Sequence, residues 1–266
     1  MIPLSALSLP LGIYLSVLAF VFGTVFGSFC NAWAWRIVHH EKITKGRSHC
    51  PTCGHTLAAK DLVPIFSWLF CKGKCRYCKT PISVRYLITE SLLGVYFLSV
   101  FLKCGVSLAT LRFWGLGSIL FVMSLQDLDT MEISDGLQIA AAAFSLLRIG
   151  EELLQGGKLL DLLINALLGF AVAVGLFVIV LICEKCMKKE LMGGADLKLT
   201  AVLGLHFGPL PTIFLLIVAD ILGLTGAVIM KKGFGKEFPF GPALALAAWI
   251  TLLAGQPIID AYLSLL

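Results

Sequence analysis

The sequence predicts an all-α integral membrane protein with about eight transmembrane helices and a cytosolic zinc-binding loop. Hydrophobic residues make up 58% of the 266 residues and charged residues only 14%, whereas soluble domains carry about 25% charged residues. The apolar residues form continuous runs, which favours helices over the alternating strands of a membrane barrel. Four of the nine cysteines form two close pairs, as in zinc sites. This composition excludes disordered chains and ordinary cytosolic enzymes.

Eight apolar runs are the predicted spans. They cover residues 9–35, 86–104, 106–126, 136–149, 160–182, 197–207, 211–230 and 241–266. Two of them, 136–149 and 197–207, are short for an apolar core of roughly 30 Å at about 1.5 Å per residue. Six full spans with two re-entrant segments are therefore the alternative.

Positive charge predicts the orientation of the chain. With eight spans, 17 of the 21 Lys and Arg residues fall on one set of loops, within 36–85, 183–198 and 231–236. Since cytosolic loops are enriched in Lys and Arg, this set is predicted to be cytosolic and both termini to lie outside. The net charge of +5 is then mostly a topology signal, and no nucleic-acid partner is expected.

The two cysteine pairs predict a metal centre. Cys50 and Cys53 form one C-x2-C pair, and Cys75 and Cys78 form the other after 21 intervening residues. Two such pairs in a cytosolic loop are typical of a tetrahedral thiolate zinc site. Disulfides are the alternative, which a reducing compartment disfavours. A loop of this size has too little core to fold alone, so a metal would stabilise it.

Three further cysteines are also considered as metal ligands. Cys71 is a substitute ligand outside the paired spacing, and Cys183 and Cys186 form another C-x2-C at the end of a predicted span. Because no second pair accompanies Cys183 and Cys186, two interfacial thiols are the favoured interpretation.

Carboxylates at two membrane boundaries are candidate catalytic groups. The run 106–126 is followed by four acids and no base, and Asp196 follows a glycine pair and begins the run 197–207. A solvated acidic loop and a helix N-cap at Asp196 are the structural alternatives. If Asp196 meets one of the loop acids, the two carboxylates would share a proton as in an aspartic protease.

The ordered motifs resemble those of bacterial prepilin peptidases, the type IV leader peptidase/N-methyltransferase family of GxGD-type membrane aspartic peptidases that serve pilus, type II secretion and competence systems. The matching segments are Gly27-Ser28-Phe29-Cys30-Asn31 with Arg36, Arg47 to Gly54, Pro81 to Tyr86 with Glu90, Asp127 to Asp135, Gly193 to Leu199, and Pro239-Phe240-Gly241-Pro242. Two residues depart from the pattern. Ala195 replaces the Gly before the second Asp, and Ser134 replaces a Pro, which is expected to loosen the turn.

The resemblance implies a bifunctional enzyme in the bacterial inner membrane. It implies removal of the basic leader of type IV prepilins or pseudopilins after a Gly, at the cytosolic membrane face, with Asp127 and Asp196 as the catalytic acids. It also implies N-methylation of the new N-terminus with S-adenosylmethionine. The donor pocket is not located by any motif, and Asn31, Arg36 and Glu90 are candidates only. For Glu90, an ion pair with an arginine is the alternative.

The resemblance further implies two domains. Residues 1–104, with the Cys-rich loop 37–85 and the second span, would be the methyltransferase region, and residues 105–266 a six-helix peptidase domain. Two other functions remain open at this point. A metal-binding membrane transporter would use Asp127, Asp196 and Glu90 as a cation path, and a noncatalytic assembly scaffold would use the zinc loop for docking. Clustering of the motif acids at one membrane face favours proteolysis.

Overall fold

The computed structural model describes residues 6–42, 46–187, 193–229 and 238–265. Their regular elements are helices, and no strand occurs among them. The helices are α1 (Leu9–Val38), α2 (Phe66–Phe70), α3 (Val84–Cys104), α4 (Leu108–Thr130), α5 (Asp135–Leu154), α6 (Leu159–Met187), α7 (Gly194–Phe207), α8 (Pro209–Ile229), α9 (Gly241–Ile250) and α10 (Gln256–Leu263). A 3-10 turn at Ala59–Asp61 lies in the Cys-rich loop, and a π-helical turn at Thr251–Gly255 joins α9 to α10.

The predicted class, an all-α multi-pass membrane protein, is confirmed. Within the described ranges, six helices are long and apolar enough to cross a membrane: Leu9–Val38, Val84–Cys104, Leu108–Thr130, Leu159–Cys186, Pro209–Ile229 and Gly241–Leu263. The two shortest predicted spans correspond to α5 and α7, which fall outside this set, so the count of eight is approximate. At 14 residues, α7 is about 21 Å long, less than the thickness of the apolar core.

Part of the charge that predicts the orientation cannot be placed in the fold. The bases Lys45, Lys188, Lys189, Lys231, Lys232 and Lys236 lie outside the described residues, as does Met192 of the second aspartate motif.

The chain divides into two compact units, and the first extends to Thr110. Its two long helices, α1 and α3, pack closely because glycines face each other. A Cβ on Gly23 would lie 2.6 Å from the Leu93 carbonyl oxygen, and one on Gly27 would lie 2.8 Å from the Glu90 Cα. Gly23 and Gly27 form the small-xxx-small spacing that lets helix backbones approach in membranes. This approach places the middle of α1 directly against Glu90.

The second unit runs from Leu111 to the C-terminus. The short helix α7 packs against α5 and α6, and α8 packs against α9. Gly169 on α6 and Gly204 on α7 meet backbone to backbone, with no room for a Cβ at either position. This close packing fixes the last turns of α7, whereas Asp196 lies in its first turn.

Candidate functional site

The four paired cysteines come together in the loop of the first unit. The sulfurs of Cys50, Cys53, Cys75 and Cys78 all lie within 4.8 Å of one another. Cys50 and Cys75 are buried, whereas Cys53 and Cys78 are exposed. Four sulfurs at mutual contact distance fit the tetrahedral thiolate set that Zn²⁺ prefers, and the cluster could hold a metal ion.

Each cysteine pair lies on its own tight turn. In the first turn the Cys50 N–H donates to the His55 carbonyl at 3.0 Å, and the Gly54 N–H donates back to the Cys50 carbonyl at 2.9 Å. Gly54 has φ +69, a left-handed conformation that glycine adopts without a steric penalty. The turn therefore directs both sulfurs of the pair to the same side.

The second turn repeats this arrangement. The Cys75 N–H donates to the Thr80 carbonyl at 2.8 Å, and the Lys79 N–H donates to the Cys75 carbonyl at 3.0 Å. Lys79 has φ +61 where the first turn has a glycine. The Thr80 hydroxyl lies 2.9 Å from the Cys78 sulfur. This hydroxyl and then the Thr80 backbone lower the pKa of Cys78 to about 6, which favours the thiolate that binds metal.

The other cysteines lie outside this cluster. Among the described residues, the group of ligands that lie close enough to share a metal ion contains Cys50, Cys53, Cys75 and Cys78 but not Cys71. Cys71 instead lines a neighbouring cavity. Cys183 and Cys186 lie near the end of α6 in the second unit.

One of the four acids at the end of α4 is distinguished by burial. Asp127 is only 5% exposed, whereas Asp129, Glu132 and Asp135 are exposed. The Gly241 N–H, at the start of α9, donates a 2.8 Å hydrogen bond to Asp127 Oδ2. This contact joins the first aspartate motif to the segment Pro239–Pro242, although Asp127 and Gly241 are 114 residues apart in the chain.

The end of α4 differs from the sequence prediction. The apolar run was expected to stop at residue 126 and to be followed by an acidic loop, but α4 continues to Thr130. Asp127 and Asp129 are therefore helical. Met131, with φ +56, then ends the helix, and its N–H donates to the Asp127 carbonyl at 2.9 Å.

Asp196 is the third residue of α7, after an N-cap at Gly193. It is therefore not the N-cap that the sequence allowed. Its Oδ1 is buried and has no hydrogen-bond partner among the described residues. Burial and, next, the charge of Asp127 raise the pKa of Asp196 to about 7. Asp196 and Asp127 therefore interact electrostatically, as a pair that shares one proton requires.

Two glutamines that the sequence analysis did not single out support these carboxylates. Gln126, directly before Asp127, accepts hydrogen bonds through its Oε1 from the Ser134 N–H at 3.2 Å and hydroxyl at 2.9 Å. The expectation that Ser134 loosens the turn is therefore wrong, because it brings two donors that a proline lacks. Gln138 donates through Nε2 to the carbonyl of Ala195 at 3.3 Å. The position of Gln126, next to the acidic motif, was the available signal.

The three residues considered for the methyl donor have different environments. Asn31 is 6% exposed and donates through Nδ2 to the Gly27 carbonyl at 3.1 Å and to the Thr89 hydroxyl, so it joins α1 to α3. Glu90 is 7% exposed, and its Oε2 accepts from the Ile65 N–H at 2.7 Å.

Arg36 and Glu90 line one cavity, which does not include Asn31. The cavity has a volume of about 370 Å³ and lies between the Cys-rich loop and the adjoining ends of α1 and α3. Its walls also carry the aromatic side chains of Trp35, Trp68 and Tyr86. The volume lies within the range of about 300–1,000 Å³ that is usual for small-molecule pockets.

Comparison with known proteins identifies the family. Residues 21–104 match the model of the bacterial peptidase A24 N-terminal domain, and residues 114–228 match that of the type IV leader peptidase family. A prepilin leader peptidase/N-methyltransferase of Aeromonas hydrophila is 35% identical over 232 residues, which cover 82% of this chain and 75% of that protein. The chain belongs to the type IV leader peptidase family.

Other relatives match this chain over nearly their whole length. A prepilin leader peptidase/N-methyltransferase of Bacillus subtilis is 31% identical, with 94% of this chain and 98% of that protein covered. One from Neisseria gonorrhoeae is 30% identical, with 91% of each chain covered. No solved structure matches the chain. The resemblance predicted from the ordered motifs is confirmed.

Proposed function

We propose that this chain removes the leader of type IV prepilins or pseudopilins with Asp127 and Asp196 as its catalytic carboxylates, and then N-methylates the product. The observation that carries the proposal is the paired environment of the two acids. Asp127 is buried and bound by the Gly241 N–H, and Asp196 has a buried oxygen that no described residue binds. An unsatisfied buried carboxylate oxygen costs stability, which is expected where it serves a reaction.

The proposed cleavage uses one proton shared by the pair. The ionised carboxylate accepts a proton from water as the water oxygen bonds to the scissile carbonyl carbon, and the protonated carboxyl donates a hydrogen bond to the carbonyl oxygen. The C–N bond then breaks and the amine leaves with a proton from the pair. The pKa of about 7 allows Asp196 to hold the shared proton near neutral pH.

The surroundings of the carboxylates fit a basic leader at the cytosolic face of the bacterial inner membrane. Asp129 and Glu132 are exposed beside Asp127, and they would attract a Lys- and Arg-rich segment. The positive-inside pattern supports a cytosolic position for this end of the helices, where the leader of a hydrophobic substrate helix stays.

Methyl transfer is proposed for the N-terminal region, residues 1–104, and proteolysis for residues 105–266. Cys50, Cys53, Cys75 and Cys78 would hold one structural Zn²⁺, which stabilises a loop that has little core of its own. S-adenosylmethionine, when bound, supplies an electrophilic methyl group. Arg36 and Glu90 are the residues of this chain proposed to contact it.

A cation transporter and a noncatalytic scaffold are not favoured. Asp127 lies in the last turn of α4 and Asp196 in the first turn of α7. Both acids are therefore at helix ends rather than along a path through the membrane. The relatives that match over most of this chain are named as peptidases and methyltransferases.

Removal of either carboxylate tests the cleavage. Asp127→Asn and Asp196→Asn should each lower prepilin cleavage by at least about 10²–10⁴-fold, the usual contribution of a general acid or base. Cleavage of a purified prepilin by the detergent-solubilised protein is the measurement. Asp135→Asn is the matched control, because it makes the same substitution at an exposed position of the same motif, and it should cleave normally. Normal cleavage by either aspartate variant would refute the assignment.

Metal analysis tests the loop. The purified chain should contain about one zinc, since four thiolates satisfy one tetrahedral ion. A Cys50→Ser, Cys53→Ser double variant should lose it, whereas Cys71→Ser should retain it because Cys71 lies outside the cluster. Full zinc content in the double variant would exclude the four-thiolate site.

A further inference from the structure

We infer that the cavity of the first unit, between the Cys-rich loop and the ends of α1 and α3, is the S-adenosylmethionine site of this chain. The inference rests on the proposed methyl transfer and adds the place where the donor binds. Methyl donors of this class combine a planar adenine, a ribose, a sulfonium cation and an amino-acid end with both charges. A site for such a molecule needs aromatic faces together with fixed groups of opposite charge.

The cavity contains fixed charges of both signs. On α1, Ser28, Ala32, Trp35 and Arg36 line it, at the helical spacing that puts residues on one face. Across the cavity Glu90 is fixed by two donors, the Ile65 N–H at 2.7 Å and the Ser28 hydroxyl. Arg36 therefore offers a cation to a carboxylate, and Glu90 offers an anion to an ammonium or sulfonium.

The segment that holds Glu90 has a strained backbone. Ile65 has φ 64 and ψ −58, and the Phe66 N–H donates to the Pro64 carbonyl at 2.6 Å. This is a γ-turn of the rare, strained type, at a β-branched residue that avoids positive φ. Such strain destabilises the fold and concentrates at functional sites. Here it directs the Ile65 N–H to the Glu90 carboxylate and so fixes the anion in the cavity wall.

A second carboxylate of the wall is already occupied. Asp61 accepts hydrogen bonds from Arg76 at 2.7 Å, from the Tyr77 hydroxyl at 2.9 Å and from the Ala58 N–H at 3.1 Å. These bonds join the second cysteine turn to the 3-10 turn. Asp61 therefore stabilises the fold of the loop, and Glu90 is the carboxylate of the wall that would bind a ligand.

The aromatic wall is rigid. The Trp68 indole N–H donates to the Ile82 carbonyl at 3.2 Å, and Gly73 packs against its ring so closely that a Cβ there would lie 2.7 Å from a ring carbon. Trp35 is stacked on His39 with ring centroids 4.1 Å apart. Rings held in this way present planar faces without losing side-chain entropy on binding, as a stacked adenine requires.

The site is tested by binding rather than by turnover. Full-length detergent-solubilised protein is titrated calorimetrically with S-adenosylmethionine and with its demethylated product. Glu90→Gln and Arg36→Gln should each weaken binding at least tenfold, whereas Asp135→Asn in the second unit should bind normally. Retained zinc content shows that the variants keep a folded loop. Unchanged affinity in both variants would overturn the site but leave the methyltransferase proposal intact.

A crosslinking experiment on the unaltered protein avoids dependence on any variant. Ultraviolet irradiation with radiolabelled S-adenosylmethionine should label a peptide within residues 28–90, and excess unlabelled donor should remove the label. Competed label confined to peptides beyond residue 110 would refute the site. Absence of any donor binding to protein that still cleaves prepilin would refute the methyl-transfer proposal itself and the site with it.

Discussion

Buried charged groups are arranged in opposite ways at the two ends of helices α4 and α7. Near the start of α4, Arg112 donates through Nε to Glu151 Oε2 at 2.9 Å and through Nη1 to His206 Nε2, near the end of α7, at 2.7 Å. At the other ends of the same helices lie two acids, Asp127 and Asp196, and the charge of Asp127 contributes to raising the pKa of Asp196. One end therefore joins opposite charges, and the other joins like charges.

The Arg112 end is extensively paired. Arg148 donates through Nε to Glu152 at 2.7 Å and also hydrogen-bonds the His206 carbonyl. Because an arginine has only donors, Nε2 of His206 must be the acceptor, which places the proton of a neutral ring on Nδ1. His206 is therefore a neutral acceptor that joins Arg112 to the end of α7.

The contrast separates stabilising polar groups from reactive ones. A buried pair of opposite charges maintains a particular packing, and its cost here extends to His206 Nδ1, which has no hydrogen-bond partner among the described residues. Two buried acids have no opposite charge to offset their cost, although Asp127 accepts the Gly241 N–H. Natural sequences keep such a local violation where function requires it. We therefore expect the Arg112 end to stabilise the fold and the proposed cleavage to occur at the Asp127 end.

The largest expected effect that tests this contrast is on stability. Arg112 and Glu151 have side chains only 9% and 8% exposed, so Glu151→Met should leave a buried guanidinium without its carboxylate and destabilise the protein by about 3–5 kcal/mol. Thermal unfolding in detergent, followed by the loss of helical circular dichroism, is the measurement. Cleavage per folded molecule should not change, because the pair is at the opposite end from the carboxylates.

The matched control removes both charges at once. An Arg112→Met, Glu151→Met double variant should recover most of the lost stability, since replacing a whole buried pair by apolar residues of similar volume is often neutral. A double variant that unfolds normally but no longer cleaves prepilin would break the contrast, because it would tie the Arg112 end to catalysis.

The main groups of the site were predictable from the sequence because the local spacing of their residues indicates them. The two cysteine pairs have a fixed separation within each turn, and the structure places Cys50, Cys53, Cys75 and Cys78 together. Asp196 follows a glycine pair and begins an apolar run, which marks a helix start. Continuous apolar runs predicted the helices, except where a run of 11 to 14 residues left span and re-entrant segment undecided.

Other features depend on contacts between distant residues and left no local signal. The four acids within residues 127–135 look alike in sequence, and only packing buries Asp127 beneath Gly241. Arg112 and His206 are 94 residues apart, so no pattern on either helix predicts their contact. The positive φ of Ile65 could not be inferred either, since a β-branched residue avoids it.

The smallest expected effect concerns a charge pair at the reactive end itself. Lys198 lies 2.8 Å from Asp135, and their side chains are 62% and 72% exposed. An exposed pair contributes less than about 1 kcal/mol, and salt screens it. Asp135→Asn should therefore shift the unfolding midpoint slightly at low salt and not at high salt, and cleavage should stay within twofold of the unaltered chain. If Asp135→Asn abolished cleavage as Asp127→Asn should, then position at this end of the helices, and not burial, would decide which acids react, and the basis for choosing Asp127 would be wrong.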